Sequence, residues 1–259
     1  PYIRPLARLQ DEFEEFLVVA CDNQKTDIFS VVADTVSLEE TLKGDVKNHV
    51  KKGGMSQQRY SRRRDNELAH YCDEVVEHLE GLCAKESIQR IVLLGSEETI
   101  IGLKDAMPSG LADKVIGNET VDLKEGTDAL IEEAYEIFED TEAQEERDLW
   151  QTIRNAYKAD DLAVLGFDDV WEALATGRAD TVLINTGVAH TGGQCAACEN
   201  VSTSEGERCD FCGKDEVFPI DLIDEMVKQA ERTSAELEFA DPPLPTVEKL
   251  GGVAALLRY

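Results

Sequence analysis

Seven cationic side chains and no carboxylate occupy residues 47–64, KNHVKKGGMSQQRYSRRR, in a chain that carries 26 Lys and Arg against 54 Asp and Glu. Lys47, Lys51, Lys52, Arg59, Arg62, Arg63 and Arg64 bracket Gly53 and Gly54, a pair that lets the main chain come close to a ligand. At a formal net charge of −28 the chain repels polyanions except where cations gather, so these seven are candidate phosphate-binding groups. A solvated helix face is the commoner meaning of an arginine run, and the absence of any acid in so acidic a chain weighs against it here. Gln57 and Gln58 follow the glycines with amide donors and acceptors, groups able to orient a water or a carbonyl.

A second set is made of thiols. Cys195-Ala-Ala-Cys198 and Cys209-Asp-Phe-Cys212 are two CxxC turns, and four thiolates in such pairs suit a tetrahedral ion with no open position. Neither pair reads as a strand-to-helix junction, where a redox-active thiol of low pKa is expected, so the spacing predicts a structural zinc that staples a small module. With four cysteines at hand, His190 is expected to be a surface or capping residue. Cys21, Cys72 and Cys83 lie among apolar residues and are expected as buried thiols, which leaves no disulfide framework.

The elements that carry these groups follow from the apolar pattern. Residues 16–21 (FLVVAC) and 26–33 (TDIFSVVA) read as a hairpin closed by a polar turn, with residues 37–42 leading on toward the glycines. Leu68, Tyr71, Cys72, Val75, Val76, Leu79 and Leu82 recur at helical spacing, so the basic stretch sits at the start of one long helix. A strand at 88–94, a tight Gly95-Ser96 turn, a helix at 97–107, a strand at 114–116 and an acidic helix at 127–157 complete a first α/β domain over residues 1–147. Residues 148–259 read as a smaller α/β sandwich with a zinc-binding insertion at about 190–217. Its elements are a strand or loop at 163–166, a helix at 167–175, a strand at 181–185, a helix at 220–233 and strands at 235–239 and 253–257.

Composition narrows the class. The 42% hydrophobic fraction is that of a folded globular chain, and no apolar run approaches the roughly 20 residues of a membrane helix, so no membrane partner is expected; the cysteine pattern suits a reducing compartment, and a cytoplasmic locale is expected. The acidic excess serves solubility and also suits a high-salt interior. Beginning at Pro1 without an initiator methionine, the chain is expected to be a fragment or a processed form.

Three stretches together resemble the middle and C-terminal domains of archaeal and eukaryotic class I peptide-chain release factors and their relative Pelota. They are Gly251-Gly-Val-Ala-Ala-Leu-Leu-Arg-Tyr259, Gly166-Phe-Asp-Asp-Val-Trp-Glu-Ala-Leu-Ala-Thr-Gly-Arg-Ala179 with the following TVLI, and the glycine pair between lysines and Arg59, Arg62 and Arg64. The resemblance implies a translation factor that enters the ribosomal A site, meets rRNA and P-site tRNA, docks a translational GTPase through its C-terminal domain and promotes peptidyl-tRNA hydrolysis. In the family a glutamine after the glycines positions water against the peptidyl ester while backbone N–H groups stabilise the oxyanion. Here Met55 holds that place in a Gly53-Gly54-Met55-Ser56-Gln57 sequence, and Gln57, with Gln58 next, is the candidate. The alternative is a non-catalytic rescue or hibernation factor like Pelota. The family's codon-reading domain has no counterpart among these residues. The literal Gly192-Gly193-Gln194 is expected to be a turn leading into the zinc site, without a catalytic role.

Overall fold

The computed structural model describes residues 4–5, 7, 14–33, 35–44, 46, 55–86, 88–159, 162–203, 206–241 and 243–259, with only the backbone described at 55–61, 86 and 125. Two compact units divide the chain, Phe13–Glu142 in one and Pro1–Glu12 with Ala143–Tyr259 in the other. Among the described residues no helix is long and apolar enough to cross a membrane.

The Phe13–Glu142 unit is built on β1 (Phe16–Cys21), whose six residues are all buried, as a strand covered on both faces must be. It pairs antiparallel with β2 (Lys25–Val32) and parallel with β4 (Arg90–Gly95). β3 (Thr35–Lys43) and β5 (Val115–Thr120) close the two edges, giving the order β3-β2-β1-β4-β5. The hairpin turn is fixed by Asp22, whose Oδ1 accepts from the N–H groups of Gln24 and Lys25 at 2.7 and 2.8 Å.

Residues 37–42 are thus part of an edge strand and more than a lead-in. Among the described residues β3 has a partner on one side only, and it keeps most of its side chains in water, so it lacks the apolar run that marks β1. Alternate residues of β1 face opposite helix layers. Leu17, Val19 and Cys21 pack with the stripe of α1 (Met55–Glu86) and with Ile100 and Leu103 of α2 (Glu97–Ala106). Phe16, Val18 and Ala20 pack with Leu130, Ile131, Ala134 and Phe138 of α4 (Thr127–Lys158), which follows the short α3 (Ser109–Ala112).

The second unit has the same layering on a sheet of order β11-β7-β12-β6, made of β6 (Ala163–Leu165), β7 (Ala179–Asn185), β11 (Glu236–Ala240) and β12 (Val253–Leu257). On one face Val182, Ile184 and Val253 meet α5 (Phe167–Ala175) and α6 (Leu222–Thr233). On the other, Leu183 and Ala254 meet Trp150 and Ile153 of α4 and Val247 of α7 (Pro245–Glu248). The expected helix at 220–233 begins two residues later than its pattern suggests, because Asp221 is its N-cap, accepting from the Ile223 N–H at 2.9 Å.

A separate three-stranded antiparallel sheet, order β10-β8-β9, holds β8 (Thr191–Cys195), β9 (Val201–Ser202) and β10 (Val217–Asp221). Gly192-Gly193-Gln194 is therefore the middle of a central strand and not a turn. The glycine is what allows it: a Cβ on Gly192 would fall 2.4 Å from the Ser202 carbonyl oxygen and 2.6 Å from Leu222 Cδ2. Without side chains the pair carries no apolar signal, which hid the strand in the sequence.

Candidate nucleic-acid interface and metal centre

Helix α1 forms because its apolar residues return every three or four positions, and all seven members of the expected stripe are buried. The helix starts at Met55, so the backbones of Gln57, Gln58 and Arg59 lie in its opening turns. No acid stands in its first turn, contrary to what the helix dipole favours. Lys47, Lys51, Lys52, Gly53 and Gly54 lie outside the described residues, as do the side chains of Gln57, Gln58 and Arg59.

Three arginines of the set are described in full. Arg62 and Arg63 are exposed, and Arg63 reaches Glu67 one turn on, Nε to Oε1, at 2.9 Å. Arg64 differs. It is 8% exposed and donates both terminal guanidinium nitrogens to the carboxylate of Glu98, in the first turn of α2. That hydrogen bond, more than the nearby charge, raises the guanidinium further above its ordinary pKa, against the opposing effect of burial. Residue type alone grouped Arg64 with its neighbours. Its spacing of four residues from Leu68, the first residue of the buried stripe, was the signal for its inward face.

The chain just before residues 47–54 is held firmly. Gly44 N–H donates to the Gln24 carbonyl at 2.7 Å, and a Cβ there would lie 2.8 Å from the Asn23 carbonyl oxygen and 3.1 Å from the Tyr71 ring. Below it the hydroxyls of Tyr71 and Thr26 share a buried hydrogen bond of 2.6 Å. Burial lifts the Tyr71 phenol to about 12, so it stays neutral. Neither Gly44 nor Tyr71 stood out by sequence, since a glycine and a stripe tyrosine are both ordinary there.

The four cysteines come together. Their sulfurs all lie within 4.8 Å of one another, with Cys195–Cys212 and Cys198–Cys209 at 3.6 Å. An ion with Zn–S bonds of 2.3 Å needs tetrahedral S–S edges of about 3.8 Å, so the set fits a four-thiolate centre. The two turns are built alike. The Cys195 and Cys209 carbonyls accept from Glu199 and Gly213 at 2.8 Å, and their N–H groups donate to Asn200 and Lys214 at 3.0 and 2.9 Å. Glu199 and Gly213 both take positive φ, 60° and 73°, to complete the turn. Backbone N–H groups, first that of Cys212, pull the Cys209 thiol down to about 7. At Cys198 the Asn200 amide also pulls down, but lost hydration and the neighbouring thiols prevail and push it to about 12. Four sulfurs crowd one point at this spacing, and a divalent cation held by them as thiolates would offset their mutual repulsion.

His190 is half-buried, with its ring nitrogen against a backbone carbonyl. It stacks on Phe167 at 4.3 Å between ring centroids, and its Nε2 lies 2.8 Å from the Gly251 carbonyl oxygen. It stands outside the group of possible metal ligands.

Fold and site define a two-unit α/β protein with a four-thiol centre in its second unit. The sequence profile of the bacterial archaeo-eukaryotic release factor family 10 matches residues 1–146, more than half of the chain, and the chain belongs to that family. Peptide chain release factor subunit 1 of Thermococcus onnurineus is 28% identical over 290 residues, spanning 98% of this chain and 68% of that protein. Among solved structures, archaeal Pelota in a model of its ribosome-bound form with ABCE1 has a TM-score of 0.56 at 18% identity, covering 94% of this chain and 61% of that one. Saccharomyces cerevisiae Dom34, a translation termination-like factor of RNA quality control that interacts with Hbs1, has a TM-score of 0.52 at 11% identity, covering 94% and 63%. The chain spans less than two thirds of either, and at these identities the likeness is one of fold.

Proposed function

We propose that this protein is a cytoplasmic translation factor that enters the ribosomal A site and promotes hydrolysis of peptidyl-tRNA. The observation that carries the reading is the acid-free stretch 47–64 at the head of α1, in a chain of net charge −28 that belongs to a release-factor family. Similarity to a peptide chain release factor along 98% of the chain supports it, as does the fold shared with a ribosome-bound Pelota. Residues 1–147 would serve as the middle-like domain and 148–259 as the C-terminal-like domain, the latter docking a translational GTPase and stapled by a structural zinc on Cys195, Cys198, Cys209 and Cys212.

In this reading Lys47, Lys51, Lys52, Arg59, Arg62 and Arg63 bind rRNA and tRNA phosphates. Gly53 and Gly54 bring the backbone up to the peptidyl ester, where their N–H groups face the developing oxyanion. Gln57, or Gln58 beside it, accepts a hydrogen bond from the attacking water and aims it at the ester carbonyl. Water adds to that carbonyl, the ester C–O bond breaks, the peptide leaves as an acid and the tRNA 3′ oxygen takes the proton.

A second reading is favoured by one observation. Both glutamines are already in the helical backbone that begins at Met55, and methionine has no amide with which to replace them. A rescue or hibernation factor that binds without hydrolysis fits that placement. Release of peptide from ribosomes loaded with P-site peptidyl-tRNA separates the two. Release by the wild type that Gln57→Ala abolishes supports hydrolysis, whereas binding without release assigns the second role.

A further inference from the structure

Arg64 belongs by residue type to the cationic stretch and by position to the packing face of α1. Arg64, Leu68 and Cys72 follow one another at four-residue spacing and are all buried. Facing them on α2 are Glu98 and Gly102, also four apart. Glu98 takes both terminal nitrogens of Arg64, and a Cβ on Gly102 would fall 2.8 Å from Cys72 Sγ and 3.8 Å from Leu68 Cγ. This is the i, i+4 ridge of one helix set against that of the next, with an ion pair as its first contact. The Arg64 side chain is 10% exposed, while Arg62 and Arg63 remain in solvent.

We propose that Arg64 is a positioning residue and not a phosphate ligand: with Glu98 it clamps α1 to α2 and sets the direction of the basic end of the helix. The functional consequence rests on the ribosome-factor reading above; the clamp does not. Met55 lies nine residues upstream, ~14 Å away at 1.5 Å per residue, so a tilt of about 5° at the clamp displaces the helix start by ~1 Å. A displacement of that size costs on the order of 100-fold where reacting groups must be aligned. A guanidinium paired through two hydrogen bonds to a carboxylate also adds little net charge toward a distant phosphate.

The test compares Glu98→Gln, Arg64→Gln, Arg62→Ala and the reversed pair Arg64→Glu with Glu98→Arg. Each is assayed for binding to ribosomes carrying P-site peptidyl-tRNA over a salt series, and for amide hydrogen exchange in the free protein. Glu98→Gln is decisive in sign. It removes a negative charge, which by electrostatics alone tightens binding to RNA, whereas loss of the clamp weakens it, here by about tenfold. We expect that weakening with an unchanged salt slope and faster exchange over residues 55–64, with Arg64→Gln behaving alike and the reversed pair restoring both. Arg62→Ala should lower the slope by roughly 0.7–0.9 and leave exchange as it was. Binding by Glu98→Gln as tight as wild type with unchanged exchange, or a slope loss in Arg64→Gln equal to that in Arg62→Ala, overturns the proposal. If the wild type does not bind ribosomes, the parent reading falls and the exchange comparison alone decides the clamp.

Discussion

Gly95 stands opposite Cys21 in the parallel pair of β4 and β1, with no room between them for a single methyl group. At φ +141°, a Cβ on Gly95 would fall 1.8 Å from the Cys21 carbonyl oxygen, which also accepts the Ser96 N–H at 3.0 Å. Gly95→Ala therefore forces apart the central strands, and we expect a loss of roughly 3 kcal/mol or more from strain and overpacking together. Gly126→Ala is the control, because Gly126 has positive φ but nothing within 4 Å of its would-be Cβ. That change should cost only about 1 kcal/mol, and equal melting temperatures for the two variants would refute the steric argument.

Alkaline pH should weaken the Phe13–Glu142 unit through its buried thiols. Burial first, then the neighbouring Cys72, push Cys21 up to about 12, and burial lifts Cys72 to about 11. The folded state thus keeps both protons at a pH where the unfolded chain, with thiols near 8.5, has lost them. Stability is full below about pH 8.5 and falls as pH rises toward 11, by up to about 1.4 kcal/mol per pH unit for each thiol. Urea midpoints measured from pH 8 to 10.5 should fall more steeply for wild type than for Cys21→Ala with Cys72→Ala. Parallel curves would show that the thiols do not titrate on unfolding.

The paired CxxC turns predict about one zinc per chain by elemental analysis. Cys209→Ser should abolish it, and a strong chelator should remove amide protection from β8, β9 and β10 while the main sheets keep theirs. A structural zinc in so small a module supplies on the order of 10 kcal/mol of folding free energy, so a metal-free protein with intact protection there would defeat the assignment.

His190→Ala should leave that metal in place and still lower stability. It removes a stacked ring from Phe167 and the contact of Nε2 with the Gly251 carbonyl, together about 2 kcal/mol. His190→Phe keeps the stack and should recover part of the loss in a thermal melt. Zinc loss in either variant would return His190 to the metal site.

Periodicity exposed the parts of this fold that bury apolar side chains. The stripe from Leu68 to Leu82, the doubly covered strand FLVVAC and the two CxxC turns all stand in the structure as their spacing implies. What stayed hidden is structure held by backbone. β3 lies at an edge with its side chains in water, and β8 carries two glycines in the middle of its five residues. Arg64 was hidden differently, because its charge announced one role while its spacing from Leu68 encoded another. Glu98, its partner, was one acid among 54 until α2 was laid beside α1.

The parallel union of β1 with β4 also sets a schedule during synthesis. Phe16 is paired with Arg90 and Cys21 with Gly95, so one edge of the most apolar strand waits for a partner made much later. At roughly 5–20 residues per second the wait is on the order of 4–15 s. Through that interval the strand has its hairpin mate β2, with β3 beyond it, and one face for the apolar stripe of α1, all made before β4. That waiting edge lies on the far side of the hairpin from β3, so the strand stays open to the strands of another nascent chain until Arg90–Gly95 is made.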